Sequence, residues 1–190
     1  MMTPVKSFKV SVLAQTGTQQ TALLTPATEE DMPTDWTFNW QLLWQATDFD
    51  CQNIIKLIYD KQLWGLVRYG VYPYSDSTSP EFLEIEHLET NPASRGQLSE
   101  RLIVPIGKWL IWYAVQVGLQ CCSGTDTLIV LVSLEDAINY YRDIIQMQCL
   151  GPTTIAPGED GYAFKFSKKE AKAFCYRQEN EWGVPTQLNL

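Results

Sequence analysis

The stretch from Leu83 to Gly118 constrains this chain most. It opens as a strand, Leu83-Glu84-Ile85-Glu86-His87-Leu88-Glu89, and continues in a polar loop from Thr90 to Gln97. It ends in an apolar helix that starts at Pro105-Ile106-Gly107-Lys108 and runs on through Trp109, Leu110 and Val115. A strand that hands the chain to a helix N-terminus makes a natural seat for a phosphorylated ligand. The unpaired N–H groups and the helix dipole attract the anion there, and the end of the strand stands beside whatever the ligand carries. Proline is well tolerated at the start of a helix, where it leaves the N–H groups of Ile106, Gly107 and Lys108 as donors. Arg101 and the side chain of Lys108 are candidate phosphate contacts, with plain solvation as their alternative.

The flanking pattern supplies the rest of a sheet. Lys6 to Leu13 alternates as a strand, and Thr21 to Leu24 is its candidate hairpin partner. Gln52–Tyr59 and Gln62–Tyr72, joined by Asp60-Lys61, read as two more strands. With Leu83–Glu89 they make an antiparallel meander. Thr127–Val132 is a continuous apolar run, as expected of a strand covered on both faces. Ser133 and Asp136 have capping-box spacing for a helix carrying Ala137, Tyr140, Tyr141, Ile144 and Ile145 through Met147. Gly151-Pro152 reads as a break, Tyr162–Phe166 as a strand, and Ser167 as the cap of a helix to about Gln178. The expectation is one α+β domain over 1–178, a mixed, mostly antiparallel sheet flanked by helices, with an unpatterned tail at 179–190. Trp36, Phe38, Trp40 and Trp44 crowd nine positions, as a core or lid cluster or as the wall of a substrate pocket.

Composition narrows the function. Fourteen basic against 22 acidic residues give a net charge of −8, the wrong sign for a nucleic-acid or anionic-membrane surface. Five cysteines without paired spacing and a single histidine argue for reduced thiols rather than a disulfide scaffold or a metal site. No apolar run reaches the roughly 18 residues of a spanning helix, so the expectation is a cytoplasmic protein.

Four short motifs resemble the GNAT (GCN5-related N-acetyltransferase) superfamily over roughly Phe38 to Phe166. Gly65-Leu66-Val67 is similar to a strand glycine of that family. Glu86-His87-Leu88-Glu89-Thr90-Asn91-Pro92 resembles a turn of a bacterial subgroup with many members of unassigned substrate. Val104-Pro105-Ile106-Gly107, with Leu110, resembles the end of the family's pyrophosphate loop. Ala137-Ile138-Asn139-Tyr140-Tyr141-Arg142-Asp143-Ile144-Ile145 resembles its tyrosine helix, which closes the site. The chain departs from the family in three places. Only Gly107 remains of the glycine loop, Gln146 stands where a glycine usually follows the tyrosine helix, and Leu134 replaces an asparagine that contacts coenzyme A.

The resemblance implies transfer of an acyl group, acetyl by default, from acetyl-CoA or another acyl-coenzyme A to an amine in a ternary complex. The acceptor would be a small molecule such as a polyamine or aminoglycoside, or a lysine side chain; a homodimer is compatible with it. Ile106, Gly107, Lys108 and Arg101 would hold the diphosphate, and a backbone N–H near Leu88 or Glu89 would polarise the thioester. Glu89 is the first candidate base and Glu86 the second, each with a solvated carboxylate at a sheet edge as the alternative. Strict alternation puts the two on opposite faces unless a bulge intervenes, and the resemblance implies such a bulge in this strand, which keeps both candidates open. Tyr141 is the candidate acid for the departing thiolate, or else a packing residue. His87, placed with Ile85 on an apolar face, reads as a hydrogen-bonded structural histidine. Erosion of the glycine loop keeps a second reading open, a GNAT fold retired from catalysis and used for binding or regulation.

Overall fold

The computed structural model describes residues 5–74, 78–96 and 101–188. A hairpin of β1 (Ser7–Ala14) and β2 (Gln19–Pro26) leads through a 3-10 turn to a short helix, α1 (Trp40–Gln45). The meander follows as β3 (Gln52–Tyr59), β4 (Gln62–Tyr72) and β5 (Phe82–Thr90). After a two-residue strand, β6 (Ile103–Val104), the chain enters α2 (Ile106–Cys121), then β7 (Ile129–Ser133). It closes with β8 (Gln148–Ala156), β9 (Glu159–Phe166), α3 (Lys168–Trp182) and β10 (Thr186–Leu188). The sheet order is β10-β1-β2-β3-β4-β5-β7-β9-β8, with β6 beside β1. Only β5 and β7 run parallel among the described strand pairs. This is the mixed, mostly antiparallel α+β sheet that the alternation predicts. No helix among the described residues is long and apolar enough to cross a membrane.

The two sheet faces are covered differently. On one, α2 and α3 bury a continuous core that includes Val67, Tyr69, Leu83, Ile85, Trp109 and Leu110. Gly65 lets α2 come close, since a Cβ there would lie 2.5 Å from the Ile106 side chain and 2.8 Å from that of Leu110. On the other, Ala27, Met32, Trp40, Ile54 and Leu66 form a smaller cluster under the loop that leads into α1.

Several local assignments differ from the sequence pattern. The helix expected after β7 is instead a 3-10 turn (Glu135–Ala137) and a π-helical turn (Tyr140–Ile145). Ser133 stays in the strand and caps nothing. Pro105 is the residue before α2 rather than inside it. Gly151 and Pro152 do not break the chain: they sit in β8 where its register against β9 shifts, so a bulge absorbs what looked like a stop. Beyond Glu179 the helix continues to Trp182 and β10 pairs with β1, which gives part of the unpatterned tail a place in the sheet. Gln97, and residues 75–77 of the expected loop before β5, lie outside the described residues.

Candidate functional site

The site forms where β5 and β7 part. They pair only from Leu83↔Ile129 to Ile85↔Leu131. Beyond that point lies a cleft of about 400 Å³, within the size range of small-molecule sites, floored by Glu86, His87, Leu88 and Glu89. Ile106 and Gly107 of α2 line it on one side, Ser133 and Tyr141 on the other.

A bulge in β5 decides which side chains reach it. Arg68 opposes His87 and Tyr69 opposes Ile85, so Glu86 is the extra residue. Alternation resumes one step out of phase. Leu88 shares the α2 face with Val67, whereas His87 and Glu89 share the other face with Arg68 and Leu66. Glu86 also turns to that face, where it meets Arg68. The two carboxylates therefore lie on the same side, and His87 is not on the Ile85 face. Its ring stands edge-to-face against Phe38 (centroids 5.1 Å, planes at 89°) and near Trp40 (6.4 Å). It makes no hydrogen bond to the described residues, and its Nδ1 is sealed from solvent. Desolvation, then the Arg68 guanidinium, hold its pKa below the ordinary value of 6.5, against the opposing pull of Glu86 and Glu89.

Glu89 is only 5% exposed and fully engaged. Its Oε1 accepts from the Thr37 N–H (2.7 Å) and pairs with Arg95; its Oε2 accepts from the Phe38 N–H (3.1 Å) and the Trp40 indole (2.8 Å). Burial alone would raise its pKa, but these donors outweigh burial and lower it. A carboxylate with every lone pair spoken for and a reduced proton affinity is a poor base. Its work here is to pin residues 37–40 and Arg95 to the end of β5. Glu86 is held less completely: its Oε1 accepts from the Gln52 amide (2.8 Å) and the Tyr72 hydroxyl, while its buried Oε2 has the Arg68 guanidinium at 2.7 Å as an ion-pair partner but no hydrogen bond among the described residues. The aromatic cluster divides between its two readings: Trp40 is completely buried core, while Phe38 lines the cleft.

At the start of α2 no side chain caps the first turn and no acidic residue stands in it. Its amides face the cleft with the dipole uncompensated. The Tyr140 hydroxyl rests over this end, 2.7 Å from where a Cβ of Gly107 would be, so glycine is what lets it lie there. Arg101 lines the cleft and donates to the Gly96 carbonyl (3.1 Å). The Lys108 side chain turns away from the cleft to Glu181 on α3 (3.4 Å), which leaves only its N–H at the helix end.

Tyr141, 9% exposed, lines the cleft and packs on Phe164 (5.7 Å). Burial pushes its pKa up to about 12. Ser133, 4% exposed, has a hydroxyl in the cleft wall without a hydrogen-bond partner. Sequence reasoning missed its place in the cleft wall because the serine looked like a cap. The β5 bulge gave no sequence signal of its own.

No protein-family model matches the chain, and no curated protein matches it. Solved structures do match. An uncharacterized protein from Bacillus halodurans superposes with a TM-score of 0.61 at 14% identity, over 91% of this chain and 97% of that one. The aminoglycoside acetyltransferase AAC(6')-Ib, solved with coenzyme A and kanamycin, gives 0.56 at 12% identity, covering 79% and 96%. Arabidopsis thaliana Naa50, solved with the bisubstrate analogue CoA-Ac-MVNAL, gives 0.55 at 14% identity, covering 77% and 98%. The chain has the GNAT fold.

Proposed function

We propose that the protein is an acyl-coenzyme A-dependent N-acyltransferase whose acyl donor lies in the cleft between β5 and β7. The observation that carries this reading is the parting of the two strands after Ile85 and Leu131, beside an uncapped helix start, with Tyr141 in the opposite wall. Structural neighbours solved with coenzyme A or with a CoA bisubstrate analogue support the same ligand class. The residues present fit that ligand. The first-turn N–H groups of Ile106, Gly107 and Lys108 suit a diphosphate, with Arg101 beside them. The orphaned Ser133 hydroxyl suits an amide of the pantetheine arm, because a buried hydroxyl without a partner costs free energy that a ligand can recover.

The bound donor supplies a thioester; the chain supplies everything around it. A backbone N–H of Leu88 or Glu89, on the strand edge that β7 leaves free, polarises the carbonyl. Tyr141 keeps its proton at neutral pH and gives it to the departing thiolate. Glu89 holds residues 37–40 in place as the cleft's far wall. The net charge of −8 favours a cationic amine acceptor, a small molecule or a lysine side chain.

Thermal shift with coenzyme A and acetyl-CoA tests the donor half. Ligand at a hundred times its dissociation constant stabilises the fold by about 2.7 kcal/mol. Tyr141→Phe then lowers acetyl transfer while leaving that shift in place; unchanged turnover removes Tyr141 as the acid. A second reading, a GNAT fold used for binding or regulation, is favoured by the Tyr140 hydroxyl seated over the start of α2. No shift at millimolar coenzyme A would support it.

A further inference from the structure

We propose that His87 is the general base that takes the proton from the acceptor amine, a role that rests on the acyl-transfer reading above. Deprotonation of the amine needs a group that is unprotonated at working pH, open to the cleft and free of other duties. Among the titratable side chains lining the cleft, the carboxylates of Glu86 and Glu89 are each held in an ion pair and further hydrogen bonds. Asp136 stands exposed on the turn after β7, where water competes for it. Arg95 and Arg101 carry no acceptor. Tyr140 and Tyr141 keep their protons, because burial raises both. His87 is left.

Its placement is built rather than incidental. The extra residue at Glu86 turns His87 from the α2 core to the face that carries Phe38 and the cleft. Phe38 and Trp40 hold the ring from the side, and the loop that carries them is fixed by Glu89. Nδ1 is enclosed without a partner, while Nε2 is not among the sealed atoms and has no bond to the described residues. The reaction needs the ring proton on Nδ1 and the lone pair on Nε2. The charged groups around the ring are Arg68 on β4 and Glu86 and Glu89 on β5; the Phe38–Trp40 loop packs against it with uncharged rings. Burial and Arg68 prevail, so the imidazole is neutral at neutral pH and able to accept.

The step balances. The amine nitrogen bonds to the thioester carbonyl carbon and its surplus proton passes to Nε2 of His87. The C–S bond breaks, and the sulfur leaves with the electron pair and takes a proton from Tyr141. Solvent returns a proton from the imidazolium to the tyrosinate, leaving amide and free thiol.

The test uses the full chain, with His87→Gln and His87→Ala beside it. Acetyl transfer from acetyl-CoA is measured against spermidine, kanamycin and a lysine-bearing peptide from pH 5 to 9, and coenzyme A binding is measured by thermal shift. The expected result is a loss of about 10²- to 10⁴-fold in kcat in both variants, with the coenzyme A shift retained. The acidic limb of the wild-type kcat/KM profile should disappear with the imidazole. Because the chain holds one histidine, histidine-selective NMR gives one titration curve; its midpoint should lie below 6.5 and match that limb. A limb that survives in His87→Gln, a midpoint that does not match it, or coenzyme A binding without acetylation of any of the three amines overturns the assignment. Loss of the coenzyme A shift in wild type brings down the acyl-transfer reading itself, a distinguishable failure.

Discussion

Removing the charge from Glu89 is the sharpest probe of how this site is held together. In Glu89→Gln one carboxylate oxygen becomes an amide NH2, which cannot accept. Each oxygen now serves two donors: Oε1 takes the Thr37 N–H and Arg95, Oε2 the Phe38 N–H and the Trp40 indole. Whichever way the amide turns, one pair of donors faces another donor. The less costly choice gives up Thr37 and Arg95, since the Arg95 side chain is 36% exposed and can return to water. A hydrogen bond to a charged group is worth about 1.5–3 kcal/mol. Discounting the exposed ion pair and counting the weakening of the two bonds that survive, the substitution should cost about 3 kcal/mol. For a chain of this size that corresponds to a fall in Tm of about 6–12 °C. Urea titration should show a lower midpoint with an unchanged slope, and the near-ultraviolet signal of Trp40 should change with it.

The pH dependence fixes the sign. The folded pKa of Glu89 lies below its unfolded value of 4.5. Its contribution is therefore complete above that value and disappears as the pH falls through the lower folded pKa. Wild type and Glu89→Gln should differ most near neutral pH and converge in acid. A Tm loss under about 2 °C at pH 7, or a difference that grows on acidification, would refute the view that this carboxylate anchors the wall of the cleft.

Three smaller tests address other parts of the site. Ser133→Ala removes a hydroxyl with no partner, so stability should hold or rise by up to about 1 kcal/mol, while coenzyme A affinity falls several-fold in calorimetry. Gly107→Ala places a methyl 2.7 Å from the Tyr140 hydroxyl; the ring must shift, and coenzyme A affinity should change far more than Tm. Gln146 sits at φ 66°, a left-handed conformation in which a side chain costs about 1 kcal/mol, so Gln146→Gly should raise the denaturation midpoint.

Much of the architecture could be read from the chain because it rests on local rules. Period-two runs at Gln62–Tyr72 and Leu83–Glu89 make strands whatever surrounds them, and the apolar segment after Pro105 makes a helix. The resemblance singled out Gly65 as a strand glycine, but that α2 packs against it only the structure showed. Features that depend on a partner were not legible. β8 looked broken at Gly151-Pro152 because a single strand does not announce the bulge that its neighbour accommodates, and β10 exists only because β1 offers an edge.

The site divides along the same line. Sequence alone put Glu86, His87, Leu88 and Glu89 at the end of a strand beside a helix N-terminus, since connectivity is local. Which of them turns to which face, and which is tied up in ion pairs, depended on one extra residue in β5 and on a loop fifty positions earlier. A bulge reverses the facing of every side chain after it, and ion pairs form between whatever groups the fold brings within reach. Periodicity alone reveals neither; the family resemblance allowed for a bulge but not for where it falls or what pairs with it.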